Sequence, residues 1–178
     1  MSAEELEASL LAQVGALWAI ARAAGVELGH VKPHGALYNR AATDPGLAEC
    51  VARAIARFPA ELTLVGLAGS ALIDAGLEAG LPVAAEAFAD RAYEPDGSLR
   101  PRSLPGAVHT DPAVAAAQAV SIARDGRVIA HDGSTVEVRA DTICLHGDTP
   151  DAAAIAKAVR EALDTAGIDV RALTAKRG

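Results

Sequence analysis

Apolar residues recur at helical spacing near the start of the chain, at Leu6, Leu10, Val14, Leu17 and Ala21. Ser2-Ala3-Glu4-Glu5 precedes them with the form of a capping box, in which the Ser2 hydroxyl accepts a backbone N–H and Glu5 reaches back. Gly25 is a stop signal, so a helix is predicted from Ala3 to about Ala24. Glu27 to Val31 reads as a short strand, broken by Pro33 and Gly35. A second helix is predicted from Gly35 to Phe58, interrupted near Asp44-Pro45-Gly46. Leu62 to Val65 is a compact apolar strand, and Gly66-Leu67-Ala68-Gly69-Ser70 turns it into a helix ending near Ala79. Pro82 to Glu86 is the next strand, followed by an irregular stretch from Phe88 to Val108 that holds Pro95, Asp96-Gly97, Pro101 and Pro105.

The second half continues in the same manner. Asp111-Pro112 is an N-cap followed by proline at the first helical position, opening a helix to about Arg124. Arg127 to Ala130 and Thr135 to Arg139 flank Asp132-Gly133, a hairpin signal. Thr142 to Leu145 reads as a buried strand, Pro150 to Ala166 as an alanine-rich helix, and Ile168 to Leu173 as a last strand. Short apolar strands joined by helical crossovers imply an α/β fold with a parallel sheet buried on both faces. At 178 residues the whole chain, 1–178, is expected to be a single domain.

Composition narrows the function classes. Hydrophobic residues make up 51%, enough for a core, but aromatics only 3%, so alanine and the aliphatic residues must build it. The net charge of −7 and the absence of a Lys/Arg run argue against a nucleic-acid partner. No stretch is long and apolar enough for a membrane span, and the acidic N-terminus does not read as a signal peptide, so a cytoplasmic location is expected. Cys50 and Cys144 lack the spacing of a disulfide framework or a zinc site and read as small core residues.

The polar residues that stand out are grouped. Lys32 and His34 follow the first strand; Gly66, Gly69 and Ser70 the second; Glu86, Asp90 and Arg91 the third; His146, Gly147 and Asp148 the strand after the hairpin. All lie at carboxyl ends of strands, the edge where parallel α/β folds bind ligands. Each also has a plainer reading. Lys32 can be a solvated loop lysine, His34 a helix cap, and Asp148 an N-cap ahead of Pro150. Asp90-Arg91 can be a salt bridge fixing the irregular stretch. Glu86, if buried, would have its pKa raised toward acid–base use. Gly66 to Ser70 offers backbone N–H groups to an anion, or is only a tight turn; with no lysine after it, it is not a P-loop. His30, His109 and His131 read as structural or exposed, and Trp18 and Phe58 as helix-packing residues.

His30-Val31-Lys32-Pro33-His34-Gly35-Ala36-Leu37-Tyr38-Asn39 resembles the signature of the LamB/YcsF family. The likeness continues through Gly66 to Ser70, Glu86-Ala87-Phe88-Ala89-Asp90-Arg91-Ala92-Tyr93, Asp96 to Arg102 and Asp141 to Asp148, in order along the chain. The resemblance implies a parallel (β/α) barrel of the seven-stranded glycoside hydrolase/deacetylase type. The family's usual opening segments, of the Asp-x-Asn-x-Asp-x-Gly-Glu, Ala-Cys-Gly-Phe-His-Ala-Gly-Asp and Gly-Ala-His-Pro kinds, are not in this chain, so an incomplete barrel lacking the first strands is expected. The resemblance also implies a reaction, ATP-dependent 5-oxoprolinase: 5-oxo-L-proline, ATP and water give L-glutamate, ADP and phosphate. It implies work as the A component of an enzyme completed by subunits B and C, and leaves a homo-oligomer open.

In that reading Lys32, His34, Asp90 and His146 are the catalytic set. His34 and His146 move protons, Asp90 or Asp148 orients one of them, and Lys32 and Arg91 hold phosphate or carboxylate. Arg102 is a further cation, and Gly66, Gly69, Ser70, Glu86, Gly147 and Asp148 complete the substrate or phosphate site. Two rival readings stand beside it. One is a metal-dependent carbohydrate or amide hydrolase using a divalent ion, zinc or manganese, held by His34, His146 and Asp148. The other is a non-catalytic truncated form serving as a binding surface.

Overall fold

A computed structural model describes residues 1–59 and 61–173. The elements in chain order are α1 (Ala3–Ala23), β1 (His30–Val31), α2 (Gly35–Ala41), α3 (Pro45–Ala56), β2 (Thr63–Leu67), α4 (Ala71–Glu78) and β3 (Val83–Phe88). They continue with α5 (Pro112–Asp125), β4 (Arg127–Ile129), β5 (Thr135–Glu137), β6 (Thr142–Cys144) and α6 (Ala152–Thr165). One sheet has the strand order β1-β2-β3-β6, and β4 and β5 form a separate two-stranded ribbon. The registered pairs β1–β2 and β3–β6 are parallel, as helical crossovers require. Among the described residues this sheet has four strands. The chain divides within β3 into two compact units, one of Met1–Ala85 and Leu173 and one of Glu86–Ala172.

In the first unit, local chemistry sets the helix ends. The capping box forms: Glu5 N–H donates to Ser2 Oγ at 3.2 Å, and Ser2 N–H donates to Glu5 Oε2 at 2.7 Å. The expected interruption of the second helix is a true break, because the Asp44 carboxylate accepts Leu47 N–H at 3.1 Å and Pro45 opens α3. Leu6, Leu10 and Val14 pack on the cluster of Val51, Ile55, Leu62, Leu64 and Leu72, but Leu17, counted in the same stripe, is 56% exposed. Phe58 lies against the helix at Gly15, as a packing residue should. Strand β2 is buried throughout and runs two residues beyond its expected end, so Gly66 belongs to the strand rather than to the turn. A Cβ at Gly66 would meet Leu72 Cδ2 at 3.0 Å, so the bare backbone is what lets α4 approach.

In the second unit, Glu86, Ala87 and Phe88 of β3 pair with Thr142, Ile143 and Cys144 of β6. The expected irregular stretch is folded back on itself by two isolated bridges, Arg91 to Val108 and Tyr93 to Leu99. Asp111 caps α5 through Ala113 N–H at 2.8 Å, and Gly126 closes it in the left-handed conformation at φ 64°. The Asp132-Gly133 hairpin forms as predicted. Helices α5 and α6 meet over Ala115, Ala116, Ala119, Ile155, Val159 and Leu163, small residues that permit close approach. Two expectations change. Strand β6 is only half-buried, because it ends the strand order and has a neighbour on one side. No strand forms over 168–173; Ile168 N–H returns to Leu163 O at 2.9 Å, and its side chain packs on the α6 cluster instead.

Candidate functional site

The second unit builds its polar centre from register. Phe88 stands opposite Cys144 in a parallel pair, so the residue two beyond each strand end, Asp90 and His146, is carried to the same place. Asp90 has 0% of its surface exposed. Its carboxylate accepts His146 N–H at 2.9 Å, the His146 ring at Nδ1 at 2.9 and 3.0 Å, and the Thr149 hydroxyl at 3.4 Å. Burial alone would raise the Asp90 pKa, but the hydrogen bonds and charge of His146 prevail and hold it below the ordinary carboxylate value. An ionised carboxylate can only accept, so the neutral ring carries its proton on Nδ1 and keeps a lone pair on Nε2. Phe88 stacks on the imidazole, with centroids 5.3 Å apart and planes at 15°. A buried, oriented carboxylate behind a half-buried histidine is the arrangement of an acid–base catalyst and its orienting partner.

The residues around Asp90 each fix the next. Phe88 N–H donates to Tyr93 Oη at 2.8 Å, and burial pushes that phenol's pKa far above its usual value. Arg91 is buried, and its guanidinium donates to the carbonyls of Ala107 and Arg100, which closes the irregular stretch. Arg100 pairs with Glu94 at 2.8 Å, and Glu94 meets His131 at 2.7 Å. Arg102 and Asp148 form an exposed pair at 3.1 Å beside Gly147, and Arg102 holds the Asp148 carboxyl below its ordinary value. Glu86 is buried on β3, opposite Thr142.

The first unit holds the other candidates. Lys32 Nζ lies 5.7 Å from the centre of the Tyr38 ring, a cation–π contact. His34 is exposed at the N-cap of α2 without a side-chain cap bond, and its Nδ1 lies 3.0 Å from the Lys32 carbonyl oxygen. That contact also leaves Nε2 as the acceptor in the neutral ring. Ser70 is the N-cap of α4 and its buried hydroxyl makes no hydrogen bond. The backbone N–H groups of Ser70 and Ala71 are given to the Leu67 and Ala42 carbonyls, and Gly69 supplies the turn at φ 71°.

So Asp90 comes together with His146 and Arg102 with Asp148, while His34 meets the Lys32 backbone carbonyl and the Lys32 ammonium lies over Tyr38. Among the described residues, no group of three or more His, Cys, Asp or Glu side chains is placed to hold a metal ion. No described helix is long and apolar enough to cross a membrane. Sequence reasoning assigned no role to Thr149, Phe88 or Gln118, which contact this centre. The signal for Gln118 was present: it is the one polar residue on the inward stripe of Ala115, Ala119 and Ile122.

The LamB/YcsF family model matches residues 1–178. The 5-oxoprolinase A subunit from Chloroflexus aggregans is 66% identical over 96% of this chain and 68% of its own length. Its counterpart of the same name from Chloroflexus aurantiacus is 58% identical, over 97% of this chain and 68% of its own. A crystal structure of a lactam utilization protein from Thermus thermophilus superimposes with a TM-score of 0.90 at 48% identity, covering 97% of this chain and 69% of that one. The chain thus spans about two thirds of the length of these relatives.

Proposed function

This chain belongs to the LamB/YcsF family, and from that premise we propose that it is the A subunit of a 5-oxoprolinase, opening the cyclic amide of 5-oxo-L-proline to L-glutamate. The single observation that carries the reading on this chain's own residues is the Asp90–His146 pair. Hydrolysis of an unstrained lactam needs a group that takes a proton from water and returns one to the departing nitrogen. His146, with Nδ1–H held by Asp90 and a lone pair on Nε2, has the chemistry for both steps.

The amide is a poor electrophile, so the reaction is coupled to ATP, whose phosphoryl group placed on the amide oxygen makes the carbon open to attack. Cations suited to the phosphate and to the substrate carboxylate are Lys32 and Arg102, with Arg preferred for bidentate carboxylate contact. Arg91 serves this reading indirectly, by closing the stretch that carries Arg102. His34 is the second proton carrier; Glu86, Gly66, Gly69, Ser70, Gly147 and Asp148 belong to the substrate and phosphate surroundings. The reading takes residues 1–178 as one domain, the greater part of a seven-stranded (β/α) barrel of the glycoside hydrolase/deacetylase type. It also takes subunits B and C as partners in the cytoplasm.

The test is ATP-dependent glutamate formation from 5-oxoproline by this chain mixed with subunits B and C. His146→Ala and Asp90→Asn are each expected to lower kcat by about 100-fold or more, the scale of general acid–base catalysis. Undiminished turnover by both variants would remove the pair from the mechanism. Turnover that persists without ATP and is lost on chelation would instead favour the metal-dependent hydrolase.

A further inference from the structure

Asp90 can orient His146 only if the backbone beneath it is fixed, and β3 ends two residues earlier, at Phe88. Beyond that point the ladder offers one more bond, Ala89 N–H to Cys144 O at 3.1 Å, and the carbonyls of the turn point elsewhere. Three of them converge on one side chain. Gln118 Nε2 lies 2.8 Å from Phe88 O, 3.2 Å from Ala89 O and 2.7 Å from Arg91 O. Carbonyl oxygens only accept, so the amide end facing them is the NH2, whose two hydrogens serve three acceptors. The flanking carbonyl, Asp90 O, is taken by His109 N–H at 2.9 Å. Four consecutive carbonyls from Phe88 to Arg91 therefore have donors, and three of those donations come from a single amide on α5.

With the NH2 committed, Gln118 has only its Oε1 left to offer, and that atom can only accept. The three carbonyl acceptors fix the amide against a flip. A glutamine on the inward stripe of an alanine-rich helix costs desolvation unless its polar atoms are used, and here its NH2 is spent on three carbonyls.

We propose that Gln118 is a positioning residue for the Asp90–His146 pair: its amide gathers the carbonyls on either side of Asp90 and so sets the carboxylate at the His146 ring. The consequence for proton transfer rests on the function proposed above, but the positioning itself does not. Losing these bonds frees the turn, the Asp90 carboxylate moves away from His146 Nδ1, and the ring is no longer held with its proton there.

The experiment reads the ring nitrogens directly. With 15N-labelled histidine, the neutral His146 ring of the parent protein should show a protonated Nδ1 and an unprotonated Nε2. Gln118→Met keeps the side-chain length and removes both polar ends. It is expected to move His146 toward a mixture of tautomers, in the direction of Asp90→Asn, and to lower kcat in the full complex about tenfold with KM little changed. Gln118→Glu keeps the side-chain shape but sets oxygen against three carbonyls, so it should shift the tautomers as far or further; it is read the same way if the Met variant does not fold. A parent-like His146 tautomer in both variants, with only a lower melting temperature, would overturn the proposal and leave Gln118 a structural residue. A tautomer shift with turnover indifferent to His146→Ala would uphold the positioning and defeat the catalytic reading.

Discussion

At the scale of single residues, the segment from Phe88 to Tyr93 shows how one short motif distributes its work. Phe88 stacks on His146, Asp90 accepts from it, Arg91 ties down the stretch that follows, and Tyr93 returns its oxygen to the Phe88 N–H. Two titrating groups here give the protein an acid-side stability profile with a definite sign. Burial holds the His109 imidazole below the usual histidine value. The unfolded chain therefore takes up a proton below about pH 6.5 while the native one does not, and stability falls as pH drops through that value. The Asp90 carboxyl is also depressed, so its contribution is present above about pH 4 and is lost as pH falls toward the folded value. Chemical denaturation across this range should show stability declining in two stages. His109→Gln is expected to flatten the upper stage and Asp90→Asn the lower.

At the scale of elements, the ends of helices follow local rules and the middles follow tertiary ones. Asp44 and Asp111 each precede proline and each accepts a backbone N–H of the first turn. Asp111→Ala should destabilise by about 1 kcal/mol, measured by denaturant unfolding, because it orphans an N–H at the start of α5. The same rules misled where packing outweighed them. Gly66 carried the mark of a turn, yet it lies in a strand because α4 presses on it through Leu72. Ile168 to Leu173 had a strand's composition, but Ile168 is drawn onto the α6 cluster and no strand forms there. Leu17 matched the helical period of α1, but packing on one side covers a narrower stripe than the period admits.

At the scale of the whole molecule, each unit has its own core, and both are made of small and aliphatic side chains. The first gathers Val51, Ile55, Leu62, Leu64 and Leu72; the second gathers Ala115, Ala119, Ile155, Val159 and Leu163. Cores of this kind rely on close backbone approach, which makes added volume costly. A Cβ at Gly76 of α4 would lie 2.7 Å from Val83 Cγ1 and 3.1 Å from Leu64 Cδ2. Alanine there improves helix propensity by at most about 1 kcal/mol. Overpacking costs about 1–3 kcal/mol, so Gly76→Ala should lower the melting temperature; a higher one would show that α4 shifts freely on the sheet.

The sequence by itself determined the alternation of strands and helices, the caps at Ser2 and Asp111, the hairpin at Asp132-Gly133 and the family, since these rest on neighbours within a few positions or on contiguous motifs; the cap expected at Asp148 did not form, because α6 opens at Ala152 behind Asp151 and Asp148 pairs with Arg102. It also marked Asp90 and His146 as candidates, each at the carboxyl end of a strand. Only the tertiary structure decided that these two residues, 56 positions apart, form one hydrogen-bonded pair. It alone showed that Arg91 is directed at loop carbonyls and that Gln118 and Thr149 join the site. The physical reason is that strand register and helix packing set those contacts. Both depend on burial summed over many residues, and a lone glutamine or threonine carries no local pattern that reveals where its amide or hydroxyl will be spent.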